Sequence, residues 1–154
     1  MASAPSIIDV VLRRSFDAAA INRICNHPAV QPGLSLGQGE IDVTDFLANE
    51  NNIAFLGEFG GALFHWCAPG VYDAHDFFLP EGRGKWAREA SESMLGIMFG
   101  AFQARMIWAA TPVENKACRF FNRMLGFKSE GVGLHRILPD QDPISCEIFV
   151  MEAA

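Results

Sequence analysis

Cysteine is sparse in this sequence, and its spacing fits neither a metal site nor a disulfide framework. Cys25, Cys67, Cys118 and Cys146 are widely separated, with no C-x-x-C pair and no Cys/His pair at metal-ligand spacing. Such scattered cysteines are more typical of a reducing compartment than of a disulfide-stabilised secreted domain. We therefore expect reduced thiols, buried as small hydrophobic residues, and no metal centre.

Positive charge and long apolar runs are also scarce. The 12 Lys and Arg residues are outnumbered by 18 Asp and Glu, and the formal charge of −6 argues against a general nucleic-acid surface. Even Met94–Ala110 is interrupted by Gln103 and Arg105, and Asp9 splits the short apolar run near the N-terminus. We expect a cytoplasmic protein with no membrane segment and no nucleic-acid partner.

What the sequence does contain is enough hydrophobic material for one well-packed domain. Half of the 154 residues are hydrophobic and 19% are charged, so residues 1–154 are predicted to form a single globular domain. The periodicity predicts the order β-α-(α)-β-β-β-α-β-α-β-β. This order indicates an α/β (α+β) fold, with a mixed, mostly antiparallel sheet and helices on both faces.

The boundaries of these elements follow from turn residues and from changes in hydrophobic period. The first half is predicted to contain a strand at Ile7–Leu12, a helix capped by Ser15 or Asp17, a loop over Asn26–Asp42, a helical turn at Thr44–Ala48, and strands at Asn52–Phe59, Ala62–Ala68 and Val71–Leu79. A Gly60-Gly61 turn is expected to join the first two strands of that meander. The second half is predicted to contain a helix from Ala87, a strand at Met106–Ala110, a helix at Glu114–Leu125, and strands at Phe127–Leu138 and Cys146–Glu152.

The segment between the third meander strand and the central helix carries the clearest functional signal. Glu81-Gly82-Arg83-Gly84-Lys85 combines glycines with cations just before a helix. A helix N-terminus presents free backbone N–H groups and the positive end of the helix dipole. This turn therefore predicts an anion site, and phosphate is the usual anion.

Two motifs in the second half support a family resemblance. FFLPEGRGKWAREA (Phe77–Ala90) resembles the cofactor-binding motif of the GNAT superfamily of acyl-CoA-dependent N-acetyltransferases, and NKACRFFNRMLGF (Asn115–Phe127) resembles the second motif of that family. KSEGVGLHR and the terminal EIFVMEAA are similar to the branch that acetylates ribosomal-protein N-termini. The resemblance covers the chain from Val71 onwards and implies a GNAT-type fold that binds acetyl-CoA.

The resemblance also implies which residues hold the cofactor. The pyrophosphate is expected at the backbone of the turn and first helical residues, which are Arg83, Gly84, Lys85, Trp86 and Ala87. The pantetheine arm is expected to pair like an extra strand with the backbone of Phe77, Phe78 and Leu79. Asn115 and Cys118 are expected to line the thioester end.

Two departures from the family pattern affect this expectation. The second glycine of the family motif is missing, either because Trp86 replaces it or because one residue of the motif has been lost. In both cases an indole stands where phosphate would approach, which predicts weak, salt-sensitive acetyl-CoA binding and tighter binding by a Trp86→Gly variant. Asn122 occupies the position where many relatives have a tyrosine that protonates the leaving thiolate. The only tyrosine in the sequence is Tyr72.

Acetyl transfer to an amine needs a neutral amine close to a polarised thioester carbonyl. Asp73, His75 and Asp76, on the strand that enters the cofactor cleft, are the candidate bases. Period 2 places Asp73 and His75 on one face of that strand and Asp76 on the other. His75 is favoured because its ordinary pKa lies nearest to neutrality.

The sequence therefore predicts an acetyl-CoA-dependent N-acetyltransferase that acts on a primary amine, with a peptide N-terminus favoured over a small amine. The alternative is a non-catalytic acyl-CoA-binding or scaffold protein with the same fold. The acceptor, the length of the acyl chain and a homodimeric state stay open at this point.

Overall fold

A computed structural model of the protein describes residues 10–36 and 39–154. Within these residues, seven strands form one sheet in the order β1-β2-β3-β4-β5-β7-β6, and every neighbouring pair is antiparallel except β4 and β5. The strands are β1 (Arg13–Arg14), β2 (Ile53–Gly57), β3 (Gly60–Ala68), β4 (Val71–Phe78), β5 (Met106–Pro112), β6 (Lys128–His135) and β7 (Ile144–Glu152). The helices are α1 (Ala18–Cys25), α2 (Gln31–Ser35), α3 (Thr44–Ala48), α4 (Lys85–Phe99) and α5 (Lys116–Leu125).

The first strand differs from its prediction. Residues 7–9 lie outside the described residues, and the rest of the predicted strand, Val10–Leu12, is not paired. Pairing begins at Arg13–Arg14, opposite Phe55 and Leu56 of β2. An edge strand accommodates these charged residues, because the Arg14 guanidinium extends over the Phe16 ring, 4.9 Å from its centroid.

The helices of the first half follow local capping chemistry. Of the two predicted caps, Ser15 and Asp17, the structure has Asp17, which caps α1 by accepting a hydrogen bond from the Ala20 N–H. The predicted helical turn Thr44–Ala48 is confirmed as α3. The expected Asn26–Asp42 loop is wrong in part, because α2 forms within it. Pro32 lies in the first turn of α2, where a backbone N–H would have no acceptor within the helix, so proline costs no helical hydrogen bond there.

The β2–β3 hairpin also turns at a different place. The turn is Glu58-Phe59, and the predicted turn residues Gly60 and Gly61 are the first residues of β3. Close backbone contact explains both glycines: a Cβ on Gly60 would lie 1.9 Å from the Phe77 carbonyl oxygen. These glycines allow neighbouring strands to approach rather than reverse the chain.

Two hydrophobic cores lie on opposite faces of the sheet. The first, under α4 and α5, includes Phe55, Phe64, Tyr72, Phe78, Trp86, Met94, Met98, Ile107 and Phe149. The second, under α1 and its neighbours, includes Ile21, Cys25, Val30, Val43, Leu63 and Phe77. The predicted mixed sheet with helices on both faces is therefore confirmed.

The cysteines are only partly where the sequence placed them. Cys25 and Cys146 are buried free thiols, whereas Cys67 is exposed and Cys118 is partly exposed. Within the described residues, no group of three or more His, Cys, Asp and Glu side chains could hold a metal ion. None of the helices in this part of the chain has the length and apolar character needed to cross a membrane.

Candidate functional site

A cleft opens where β4 and β5 separate. These two parallel strands pair only from Val71–Met106 to Asp73–Trp108. Beyond that point β4 continues beside β3 and β5 continues beside β7. The side of β4 that faces β5 therefore has no strand partner after Asp73, and its backbone groups there border the cleft.

The cleft consists of two neighbouring cavities. The outer cavity has a volume of about 420 Å³ and reaches Arg83, Gly84 and Ala87 at the start of α4. The inner cavity, of about 90 Å³, extends between β4, β5 and α4. Asp76 and residues from α2 and α5 border both cavities, so the two cavities adjoin at these residues. The shared lining residues are Gly33, Leu34, Asp76, Asn115 and Cys118.

The N-terminus of α4 is open to the outer cavity. Gly84 precedes the helix with φ +96°, a backbone conformation that glycine adopts without strain, and no side chain caps the helix there. The first hydrogen bond onto Gly84 comes from the Arg88 N–H. The N–H groups of Lys85, Trp86 and Ala87 therefore have no acceptor within the helix.

Arg83 connects this turn to the segment before α2. Its guanidinium donates a hydrogen bond of 2.6 Å to the Ala29 carbonyl oxygen, and the residue stays exposed beside the cavity. Lys85 extends along the helix surface instead, with Nζ 3.8 Å from the Glu89 carboxylate. Of the two predicted cations, only Arg83 borders the cavity.

The expectation that Trp86 obstructs phosphate approach is wrong. Its indole is 7% exposed and packs edge-on against Phe59 and Phe78, with ring centroids 5.3 and 6.0 Å away. A Cβ added to Gly82 would lie 3.1 Å from this ring, so the turn folds directly over the indole. The side chain points into the core, and only the backbone N–H of Trp86 lies at the helix start.

At Phe77 and Phe78 of β4, the backbone rather than the side chains faces the cleft. The Phe77 and Phe78 side chains are buried in opposite cores. Leu79 differs from them, because its N–H already donates to the Phe59 carbonyl oxygen and its carbonyl accepts from the Gly82 N–H. The part of β4 whose edge facing β5 is unpaired is thus Ala74–Phe78, one residue shorter at its end than the sequence predicted.

α5 borders the cleft from the other side. Asn115 caps this helix by accepting a hydrogen bond of 3.1 Å from the Cys118 N–H, which brings both predicted residues to the cavity. Asn122 is buried and donates to Thr111 Oγ1 at 3.0 Å. Burial raises the pKa of Cys118 to about 12, and the charge of Asp76 adds to this effect. Cys118 is therefore a neutral thiol rather than a nucleophile.

Asp76 is the ionisable group at the junction of the two cavities. Burial raises its pKa from 3.8 to about 6, against the opposing effects of His75 and Arg83. Apart from this influence of Arg83, no Lys or Arg in the described residues forms an ion pair with Asp76. A carboxyl group with a raised pKa in a cleft is suited to exchange protons near neutral pH.

Asp73 and His75 form a pair on the opposite face of β4. His75 Nε2 lies 3.0 Å from Asp73 Oδ2, as expected for alternate residues on one strand. Burial alone would lower the pKa of His75, but the hydrogen bond to Asp73 and the charges of Asp73 and Asp76 raise it. The His75 side chain is 44% exposed, whereas that of Asp73 is only 13% exposed.

The structure thus brings together most of the predicted site. The residues that border the cleft are His75, Asp76, Phe77, Phe78, Arg83, Gly84, Ala87, Asn115 and Cys118. Asp73, Leu79, Lys85 and Trp86 lie next to the cleft without bordering it. Sequence reasoning missed Gly33 and Leu34, because the segment that carries them was predicted to be a loop. It also missed Thr111, which carries no motif of its own.

Comparison with known proteins supports the fold. Neither protein-family models nor curated proteins match this sequence. Among solved structures, a putative acetyltransferase from Salmonella typhimurium, determined with its cofactor acetyl-CoA, is similar over 95% of both chains, with a TM-score of 0.73 and 17% identity. A GNAT-family acetyltransferase from Bacillus anthracis covers 93% of this chain and 94% of its own, with a TM-score of 0.71 and 20% identity.

A third similar structure contains an amine. Spermidine N-acetyltransferase from Vibrio cholerae, in complex with CoA and spermine, covers 93% of this chain and 95% of its own, with a TM-score of 0.74 and 16% identity. These similarities confirm the GNAT-type fold class. They do not confirm the narrower resemblance to ribosomal-protein acetyltransferases.

Proposed function

We propose that the protein is an N-acetyltransferase that transfers the acetyl group of acetyl-CoA to a primary amine. The observation that supports this most strongly is the outer cavity, which extends from the open N-terminus of α4 to Asp76. An anion at the helix N-terminus and a proton acceptor at Asp76 would then border the same cavity. The bound acetyl-CoA, CoA and spermine in the similar structures agree with this proposal.

The cleft has the features needed to hold the donor. The free N–H groups of Lys85, Trp86 and Ala87, with the Arg83 guanidinium beside them, would hold the pyrophosphate. Hydrogen bonds to a charged group contribute roughly 1.5–3 kcal/mol each, so these few donors suffice for binding. The unpaired edge of β4 at Ala74–Phe78 would pair with the amide groups of the pantetheine arm, as a strand does.

Acetyl-CoA supplies an activated acetyl group: its transfer forms an amide C–N bond, breaks the thioester C–S bond and releases the thiol. The protein must then accept the proton that the amine loses. We assign this role to Asp76, because it lies at the junction of the cavities and its pKa of about 6 leaves it ionised at neutral pH. His75 is the alternative base, but its raised pKa leaves more of it protonated at the same pH.

At the thiol end the residues supply hydrogen bonds rather than a strong acid. Thr111 Oγ1 and Cys118 Sγ are 3.8 Å apart, and Asn122 Nδ2 reaches both of these atoms. An ordinary thiol has a pKa of roughly 8.5, so it leaves as a thiolate near neutral pH without full protonation. Asn122 therefore does not prevent catalysis, although it cannot act as the acid that tyrosine provides in many relatives.

The experiment combines binding with turnover. Acetyl-CoA at about a hundred times its dissociation constant should stabilise the fold by roughly 2.7 kcal/mol, measured as a rise in melting temperature. Thiol release should also accelerate when a panel of primary amines and peptides with free N-termini is added. Binding without amine-dependent thiol release would favour a non-catalytic acyl-CoA-binding protein. Absence of binding at millimolar acetyl-CoA would refute both functions.

A further inference from the structure

The inner cavity leads from the cleft into the first hydrophobic core. Where it adjoins the outer cavity, it shares with that cavity the polar residues Asp76 and Asn115. Away from this junction, much of its wall belongs to the first core or packs against it. The residues of this apolar part include Ala62, Phe64, Ala74, Met94, Leu95 and Phe127. The inner cavity is therefore a recess with a polar entrance and largely apolar walls.

Small side chains on the two separating strands keep this recess open. Ala74 of β4 and Ala109 and Ala110 of β5 all border it. Strands favour the larger β-branched residues, which would fill more of this space. Protein interiors seldom keep voids larger than a water molecule, so a cavity of about 90 Å³ beside three strand alanines is expected of a ligand site rather than of a packed core.

The chemistry of the recess suits an apolar ligand. Asn122 donates to Thr111 Oγ1 at 3.0 Å, so these two buried side chains partner each other. A buried water needs about two to four polar partners, which the alanine, phenylalanine and methionine side chains of the wall do not offer. Burial there would favour a hydrocarbon chain, whereas a protonated amine would lose its hydration. The acyl chain of the donor therefore fits the recess better than the acceptor does.

The volume of the recess sets the length of the chain. An engineered apolar protein cavity of about 150 Å³ binds benzene, a molecule of six carbon atoms. In proportion, the inner cavity of about 90 Å³ holds three or four carbon atoms. An acetyl group, with two, would leave part of the recess empty, and a hexanoyl group, with six, would exceed it.

We propose that this recess is an acyl pocket, so that the protein transfers propionyl and butyryl groups as well as acetyl and binds these longer donors more tightly. This inference rests on the proposed function, which puts the thiol end of the donor at Thr111 and Cys118. From there the acyl chain extends into the recess while the amine approaches at Asp76. The reaction is otherwise the same: the amide C–N bond forms, the thioester C–S bond breaks, the thiol leaves and Asp76 accepts the amine proton.

The test measures donor binding by calorimetry, without an acceptor. Each methylene that moves from water into an apolar site favours binding by about fourfold, so the wild type should bind butyryl-CoA roughly tenfold or more tightly than acetyl-CoA. Hexanoyl-CoA should lose this gain, because its chain is longer than the recess.

A pair of variants locates the chain. Ala74→Val adds two carbon atoms at the wall of the recess and should abolish or reverse the preference for butyryl-CoA. Ala68→Val is the matched control, because Ala68 is also a half-buried strand alanine but borders neither cavity. It should keep the wild-type preference.

Each outcome bears on the inference. Equal binding of acetyl-CoA and butyryl-CoA by the wild type, or an unchanged preference in Ala74→Val, would overturn it. If Ala74→Val does not fold, the wild-type series decides: affinity must rise to three or four carbons and then fall, and a steady rise through hexanoyl-CoA would contradict a closed recess. Failure of all these thioesters to bind would refute the proposed function instead, so the two failures are distinguishable.

Discussion

Asp76→Asn should make the protein more stable at neutral pH while it removes most of the activity. The pKa of Asp76 is raised from 3.8 to about 6 by burial, so the folded protein favours the protonated carboxyl. The stability associated with this protonated form is fully present below pH 3.8 and is lost as the pH rises through about 6. An asparagine, which is never charged, avoids that loss.

The size of the effect follows from the pKa values. The difference between 3.8 and about 6 corresponds to about 3 kcal/mol at most, since each pH unit is worth about 1.4 kcal/mol. Asp76 is partly exposed, so solvent screening reduces this to about 1–2 kcal/mol. If Asp76 is the base, turnover should fall by about a hundredfold or more.

Urea unfolding of the wild type and Asp76→Asn across a pH series measures the effect directly. The two proteins should have nearly equal free energies of unfolding at pH 3.5, and the variant should gain about 1–2 kcal/mol by pH 7.5. Asp45→Asn, whose side chain is exposed, should show no comparable gain. A variant that is less stable than the wild type at pH 7.5 would refute the reasoning, because the charged Asp76 carboxylate would then stabilise the fold rather than destabilise it.

Two further predictions concern residues that support the cleft. Trp86→Gly should lower the free energy of unfolding by about 3–5 kcal/mol, because it removes a buried indole. Calorimetry on the folded fraction should find that this variant binds acetyl-CoA no more tightly than the wild type does. Tighter binding by the variant would show that the indole obstructs phosphate after all. Glu147→Gln should cost about 1–3 kcal/mol, because the buried carboxylate accepts hydrogen bonds from Arg119, at 2.7 Å, and from Arg123. Hydrogen bonds from Ser129 and Arg119 lower the pKa of Glu147, so the stability that its carboxylate contributes is lost as the pH falls. In urea unfolding, the difference in free energy between the wild type and Glu147→Gln should therefore shrink towards acid pH. A difference that does not change with pH would contradict this explanation.

Where capping and glycine chemistry act locally, the sequence predicted the structure well. Asp17, one of the two predicted caps, begins α1 through its side chain, and α5 ends at Leu125 as predicted, where Gly126 follows with φ +99°. The uncapped N-terminus of α4 was likewise predictable, because it depends on Gly84 and on the absence of a side-chain cap. These features need only neighbouring residues to be specified.

The errors arose where distant parts of the chain decide the outcome. The direction of the Trp86 indole depends on Phe59 and Phe78, which lie on other elements. Gly60 and Gly61 of β3 are required because the backbone of the neighbouring strands leaves no room for a Cβ. The local sequence does not show this contact, so a two-glycine turn was the natural prediction. The contribution of α2 to the cleft was missed because a short helix with proline and glycine has the composition of a loop.

Hydrogen exchange with and without acetyl-CoA tests the central claim most directly. If acetyl-CoA occupies the cleft, amide exchange should slow at those residues of Ala74–Phe78 whose N–H groups point away from β3, and at Lys85–Ala87, because these N–H groups have no acceptor within the fold. The amides of β2, far from the cleft, should be unaffected beyond the global change in stability. Protection confined to other segments, or none at saturating acetyl-CoA, would contradict the account.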